Sequence, residues 1–226
     1  MTRTLSSRAI SDVVRRQLVL AVLLFLAAGS LRFWEGWVYW GLVSVCLLFN
    51  VLYFLRHDPA LVRRRIKVGP GAERKRSQKV IQAVNGTLVC LVIVLAGFDE
   101  RFDWSSVPAG MVWSADVAVL IGLLIVFRTL QVNSYAAATV RVEQDQPVVS
   151  TGPYEFVRHP MYLGSMLAFL ATPVALGSGW ALVPATLLCT VIVIRLIDEE
   201  HFLSGRLHGY KAYRRDVPYR LIPYVW

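Results

Sequence analysis

What most constrains this chain is the recurrence of long apolar runs with few or no charges inside them. Six occur, at about 17–33, 36–55, 80–98, 111–131, 161–176 and 180–197, and a helix crossing a ~30 Å hydrocarbon core needs roughly 20 mostly apolar residues. The ten-residue alternation of a membrane barrel is absent from them. The expected fold class is therefore all-α: a polytopic helical membrane protein of about six transmembrane segments, with no internal repeat. Composition agrees, since 56% of the 226 residues are hydrophobic against roughly 45–50% in soluble domains.

The connecting segments predict an orientation. Segment 56–79, RHDPALVRRRIKVGPGAERKRSQK, carries nine Lys or Arg against Asp58 and Glu73, whereas 99–110, DERFDWSSVPAG, carries three acids against Arg101. The N-terminus (Arg3, Arg8, Arg15, Arg16) and the tail after 198 are also basic, and the 132–160 connection carries Arg141 and Arg158. Alternating sides then puts both termini, 56–79 and 132–160 in the cytoplasm and 99–110 outside. The formal charge of +9 lies in these short connections, so it reads as a topology signal and an attraction to anionic lipid, with no nucleic-acid partner. Arginines followed by LVLAVLLFLAAGS imitate a secretory signal. Apolar character resumes after Arg32, which favours a retained first helix. Cys46, Cys90 and Cys189 all fall inside apolar runs without CxxC or a nearby histidine, so reduced, packed thiols and no metal site are expected.

Three polar clusters break the apolar pattern. The first is TGPYEFVRHPMYLG, 151–164, where Pro160 suits the first position of a helix, whose dipole and free N–H groups favour an anion. Gly164 leaves room for something to approach the backbone. That helix, 161–176, is about 24 Å long at ~1.5 Å per residue and meets the next through GSG at 177–179, which predicts a tight hairpin bordering protein or a wet cavity. The second cluster closes the last span: Arg195, then Asp198, Glu199 and Glu200, then His201. Arg195 and Glu199 are spaced to pair, and three acids at a helix C-terminus suit a bound cation. The third, Gly209–Trp226, is basic and aromatic, either an interfacial tail or a lid over the hairpin. Taken singly, each cluster also reads as interfacial anchoring or a solvated helix end.

Together the three clusters resemble the integral-membrane methyltransferases of the isoprenylcysteine carboxyl methyltransferase type, with their phospholipid N-methyltransferase relatives. The matching residues are Gly152-Pro153-Tyr154, Arg158-His159-Pro160 with Tyr162 and Gly164, Arg195 with Glu199-Glu200, Gly209-Tyr210, Tyr213, and Tyr219-Arg220 with Pro223; DPALVRRR at 58–65 is a looser element. The resemblance covers about 130–226 and is thin over the first hundred residues. It implies S-adenosylmethionine as methyl donor and two parts. Residues 1–131 hold four spans with the basic loop 56–79. Residues 132–226 form the catalytic part, comprising the connection, the hairpin 161–197 and a cytoplasmic tail closing a cofactor pocket. By the same resemblance Tyr154, Arg158, His159, Pro160, Tyr162, Gly164, Glu200 and Tyr213 bind the cofactor. Arg195 and Glu199 face the acceptor, a lipophilic or prenylated molecule such as an isoprenylcysteine carboxylate. The charges agree, because the donor's sulfonium and ammonium want carboxylates and aromatic faces and its carboxylate wants Arg, His or a helix N-terminus.

Two rivals remain at this level. Membrane sterol-type reductases look similar in the C-terminal half and use NADPH, but the paired Glu199-Glu200 favours a cationic cofactor over a polyanionic one. A non-catalytic lipid-binding membrane protein would also account for segment 56–79 and the interfacial aromatics.

Overall fold

The computed structural model describes residues 2–66, 69–73, 75–137, 139 and 142–226; Lys67, Arg74 and Arg141, counted above among the topology-setting basic residues, lie outside them. Eight α-helices and no strand occur among the described residues. They are α1 (Thr2–Ala28), α2 (Trp34–His57), α3 (Pro59–Ile66), α4 (Arg76–Phe102), α5 (Ala109–Val132), α6 (Pro160–Ala175), α7 (Leu182–Arg206) and α8 (Tyr210–Asp216). Short 3₁₀ turns lie at Pro70–Ala72 and Gly152–Glu155.

The all-helical expectation holds, with differences at the helix ends. α2, α4 and α5 are each long and apolar enough to cross a membrane, while α6 is apolar but has only 16 residues. α1 carries Asp12, Arg15 and Arg16 in its middle, and α7 carries Arg195, Asp198 and Glu199 in its second half. The apolar run 17–33 overshoots its helix. Gly29 sits at φ +64, donates its N–H to Phe25 O at 2.9 Å and ends α1, a left-handed cap that glycine adopts without penalty. Outward stripes of apolar side chains repeat at helical spacing, as with Leu18, Val22 and Leu26 of α1 and Val117, Ile121 and Leu124 of α5. Cys90 is exposed rather than packed, Cys46 half-buried and Cys189 buried.

The helices alternate in direction, so their ends gather into two chemically different rims. One rim is aromatic: Trp34, Trp104, Trp113 and Trp180 are exposed there, with Trp34 and Trp113 rings 5.5 Å apart. Such a belt suits the membrane–water interface. On this rim Asp99, 1% exposed at the end of α4, holds the α6–α7 turn. It accepts from the Ser105 N–H at 2.8 Å and Oγ at 2.7 Å, from Ser178 Oγ, and from the Trp180 N–H at 3.4 Å. Asp99→Ala strands these donors, and a loss of about 2–3 kcal/mol, read as a lower thermal midpoint in detergent, is expected.

α5 and α6 pack backbone to backbone. A Cβ on Gly164 would meet Gly122 O at 2.6 Å and Ile125 at 3.0 Å, and one on Gly122 would meet Gly164 O at 2.5 Å. The approach foreseen at Gly164 is thus made by a neighbouring helix. Small residues allow this closeness in membrane bundles. Gly164→Ala is expected to cost about 1–3 kcal/mol by overpacking. Gly86→Ala, on α4 with nothing within 4 Å of its Cβ, is the control and should be neutral or slightly stabilising.

Candidate active site

The second rim collects the end of α2, α3, the start of α4, the end of α5, the start of α6, the end of α7, α8 and the tail. Here the tail is laced to the start of α6. Arg158 N–H donates to Tyr219 O at 2.9 Å and His159 N–H to Arg220 O at 3.0 Å. Arg158 Nη1 donates to Val217 O at 2.8 Å and Pro218 O at 2.7 Å. These two backbone donors, just before Pro160 at the helix entrance, are thus spent on the protein itself.

The three consecutive acids of α7 take three different partners instead of one shared cation. Asp198 accepts from Lys75, Ser77 and Gln78 at the start of α4. Glu199 accepts from the Tyr162 hydroxyl. Glu200, 3% exposed, accepts from Arg158 Nε at 2.6 Å and Arg220 Nε at 2.9 Å. Successive residues on a helix point about 100° apart, which is why one run serves three neighbours. Burial pushes the Glu200 carboxyl up, but His159, Arg220 and Arg158 outweigh it and hold it well below the usual carboxylate range. His159 Nε2 lies 3.4 Å from Glu200 Oε1 without hydrogen-bond alignment, and this buried atom has no hydrogen-bond partner.

Arg195 and Glu199 are joined through a third group. Tyr162 hydroxyl donates to Glu199 and accepts from Arg195 Nε at 3.1 Å. Arg195, 7% exposed, also pairs with Glu73 Oε1 at 3.1 Å, and Gln82, with its amide oxygen turned inward, accepts from Arg195 Nη1 at 2.8 Å. In the sequence Glu73 is only a minority acid in a basic loop. Nothing local marks it as the partner of an arginine 122 positions away.

Two cavities meet at this bridge. A small one of about 100 Å³ is lined by Asn133, Tyr154, Arg158, His159, Tyr210 and Tyr213 among others. Burial pushes the Tyr154 phenol up to about 12 and those of Tyr210 and Tyr213 higher still, so these hydroxyls stay neutral. The buried Tyr210 hydroxyl has no hydrogen-bond partner. The second cavity, about 900 Å³, runs between α1, α2, α3, α4, α5, α6 and α7 over mostly apolar walls such as Val51, Phe54, Leu123, Phe169 and Ile192. Met161, Tyr162 and Glu199 line both.

Of the residues singled out by sequence, Tyr154, Arg158, His159, Tyr162, Glu199 and Tyr213 line the small cavity and Arg195 the large one. Pro160, Gly164 and Glu200 line neither. Pro160 is buried at the first position of α6, Gly164 faces α5, and Glu200 stands behind Arg158.

Residues 111–208 match the phospholipid methyltransferase family model. The C-terminal part of the chain is similar to that family. The matched stretch runs from α5 through the 132–160 connection and α6 to the end of α7, and so includes Tyr162, Arg195 and Glu199. A methanethiol S-methyltransferase of Crocosphaera subtropica is 35% identical over 72 residues, covering 32% of this chain and 28% of that protein. The similarity to phospholipid methyltransferases thus includes the part of the chain that builds the junction of the two cavities.

Proposed function

We propose that the protein is an S-adenosylmethionine-dependent integral-membrane methyltransferase, crossing the bilayer six times with both termini cytoplasmic. In this reading it transfers a methyl group to a lipophilic acceptor, of the isoprenylcysteine carboxylate kind, at the cytoplasmic face. One observation carries the reading: a polar, tyrosine-lined cavity and a large apolar cavity share the Tyr162–Glu199 pair, inside the segment similar to phospholipid methyltransferases. The basic residues of α3 and of the starts of α4 and α8 support the cytoplasmic assignment of that rim.

The lining suits the donor chemically. The Glu199 carboxylate and the rings of Tyr154, Tyr162 and Tyr213 offer negative charge and π faces to cations. His159 Nε2, near Glu200 but in no aligned hydrogen bond, and the Tyr210 hydroxyl offer hydrogen bonds, since buried polar atoms without such bonds are rare in folded proteins. The volume of about 100 Å³ is short of the roughly 300–1,000 Å³ of pockets for drug-sized ligands. The wall formed by Asn133, Tyr135 and Gln146–Val149, which belongs to no helix, would have to move outward to admit the cofactor. When bound, the cofactor supplies a methyl group made electrophilic by its sulfonium. Tyr162 holds the Glu199 carboxylate at the junction, and Arg195, braced by Glu73, holds Tyr162. The apolar walls exclude water and align the acceptor, from which most of the acceleration comes. For an acceptor with a proton on its reacting atom, Glu199 is the group placed to take it.

The test is to incubate membranes containing the protein with methyl-labelled S-adenosylmethionine and identify labelled product by mass. Transfer lost in Glu199→Gln supports the reading, and equal transfer by wild type and variant overturns the site. Stabilisation by S-adenosylhomocysteine but not NADPH separates it from a reductase.

A further inference from the structure

Arg65 is a cation that has no countercharge among the described residues. It sits near the end of α3, outside the segment similar to phospholipid methyltransferases. Its neighbour Arg64 makes a two-pronged bond to Glu143, Nε to Oε1 at 3.0 Å and Nη2 to Oε2 at 2.9 Å. Arg65, in contrast, uses one nitrogen: Nη1 donates to Ala136 O at 2.9 Å and reaches Met161 Sδ at 3.5 Å. Among the described residues, Nε and Nη2 make no hydrogen bond, and no carboxylate lies within ion-pair distance. Burial among protein atoms lowers the guanidinium from its ordinary value, as expected for a charge crowded without compensation.

This side chain lines the 900 Å³ cavity, and its contact Met161 lines both cavities next to Tyr162. Among the described residues, the other cationic groups on the cavity wall are committed: Arg195 to Glu73 and Tyr162, Arg15 and Arg16 to Asp12. An unused Nε/Nη2 edge is the shape that takes two oxygens of a carboxylate or phosphate side by side. Behind it lies an apolar space at the upper end of the roughly 300–1,000 Å³ range of ligand pockets, far larger than a one-carbon thiol fills.

We infer that Arg65 is the anion-binding residue of this cavity, and that the cavity takes a single-chain amphiphile whose oxyanionic head pairs with the Arg65 guanidinium while its tail lies along the apolar wall. This makes Arg65, rather than the already paired Arg195, the residue that selects a negatively charged acceptor. The inference rests on the methyl-transfer reading only in calling that ligand the acceptor.

The full chain, in a neutral maltoside detergent, is titrated with dodecanoate, dodecyl phosphate and dodecanol at a pH where both acids are ionised, and half-saturation is read from tryptophan fluorescence. At least one oxyanion should saturate about tenfold below the alcohol, the tighter one identifying the head. That preference should vanish in Arg65→Gln, persist in part in Arg65→Lys, and survive in the Arg15→Gln/Arg16→Gln double variant. Equal binding of all three amphiphiles by the wild type overturns the inference without any variant. So does a preference retained by Arg65→Gln or abolished by the double variant. Because no methyl transfer is measured, an inactive protein that keeps the head-group preference refutes the enzyme reading alone. An active one without the preference refutes the Arg65 assignment alone.

Discussion

Replacing Glu200 by glutamine is expected to release the tail from the start of α6, lowering the thermal midpoint by on the order of 10 °C and methyl transfer by at least about a hundredfold. The carboxylate is buried between two arginines, at 2.6 Å from Arg158 and 2.9 Å from Arg220, beside a buried histidine. Glutamine has nearly the same shape but no charge, so both guanidinium groups lose their anion. Removing one partner of a buried pair costs about 3–5 kcal/mol; Arg220 is 29% exposed and can turn to water, which favours about 3. For a chain this long each kcal/mol is about 2–4 °C. Arg158 and the 217–220 carbonyls would drift together, and misplacement by an ångström costs about a hundredfold in rate. Acid should do the same by degrees. Glu200 is held below its ordinary value of 4.5, so the unfolded chain binds the extra proton. Its stabilisation is complete above 4.5 and fades as the pH falls below it. Wild type should lose midpoint on acidification through that window, and Glu200→Gln should lose less. A variant that melts and titrates like wild type would show that the tail is held by other contacts.

Tyr162→Phe should separate chemistry from folding. The hydroxyl joins Glu199 to Arg195 where the two cavities meet, and deleting it removes two hydrogen bonds while the ring remains. The midpoint should fall by only about 1–2 kcal/mol worth, since Arg195 keeps Glu73 and Glu199 keeps access to both cavities. The turnover number should fall about a hundredfold, within the range for misoriented acid–base or positioning groups, with little change in acceptor KM. Wild-type turnover in the phenylalanine variant would remove Tyr162 from the working site and leave it as packing.

The helices were legible because apolar runs and their charged interruptions are local properties of the chain. Pro160 as a start and the resemblance carried by RHPMYLG and Arg195-Glu199-Glu200 were readable from spacing, whereas the stop at Gly29 was not, because the apolar run continues to residue 33. Gly164 was correctly read as a point of close approach, but composition does not say whether a ligand or a helix approaches. The Arg195–Glu199 spacing allowed direct pairing, yet a hydroxyl on another helix sits between them. Asn133 and Gln82 carried no signal, and Glu73 and Arg65 stood out only as members of a charged loop, because each gains its meaning from a neighbour on another element.

The sequence by itself determined that this is a helical membrane protein, that its polar groups collect in its C-terminal part, and that this part resembles membrane methyltransferases. Only the tertiary structure decided which charge answers which. Asp198, Glu199 and Glu200 are adjacent in the chain but are turned toward three separate neighbours, and Arg65 lines the large cavity with no acid in ion-pair distance among the described residues. Coulomb attraction depends on distance through space, and distance through space is set by how helices pack, which no local pattern encodes.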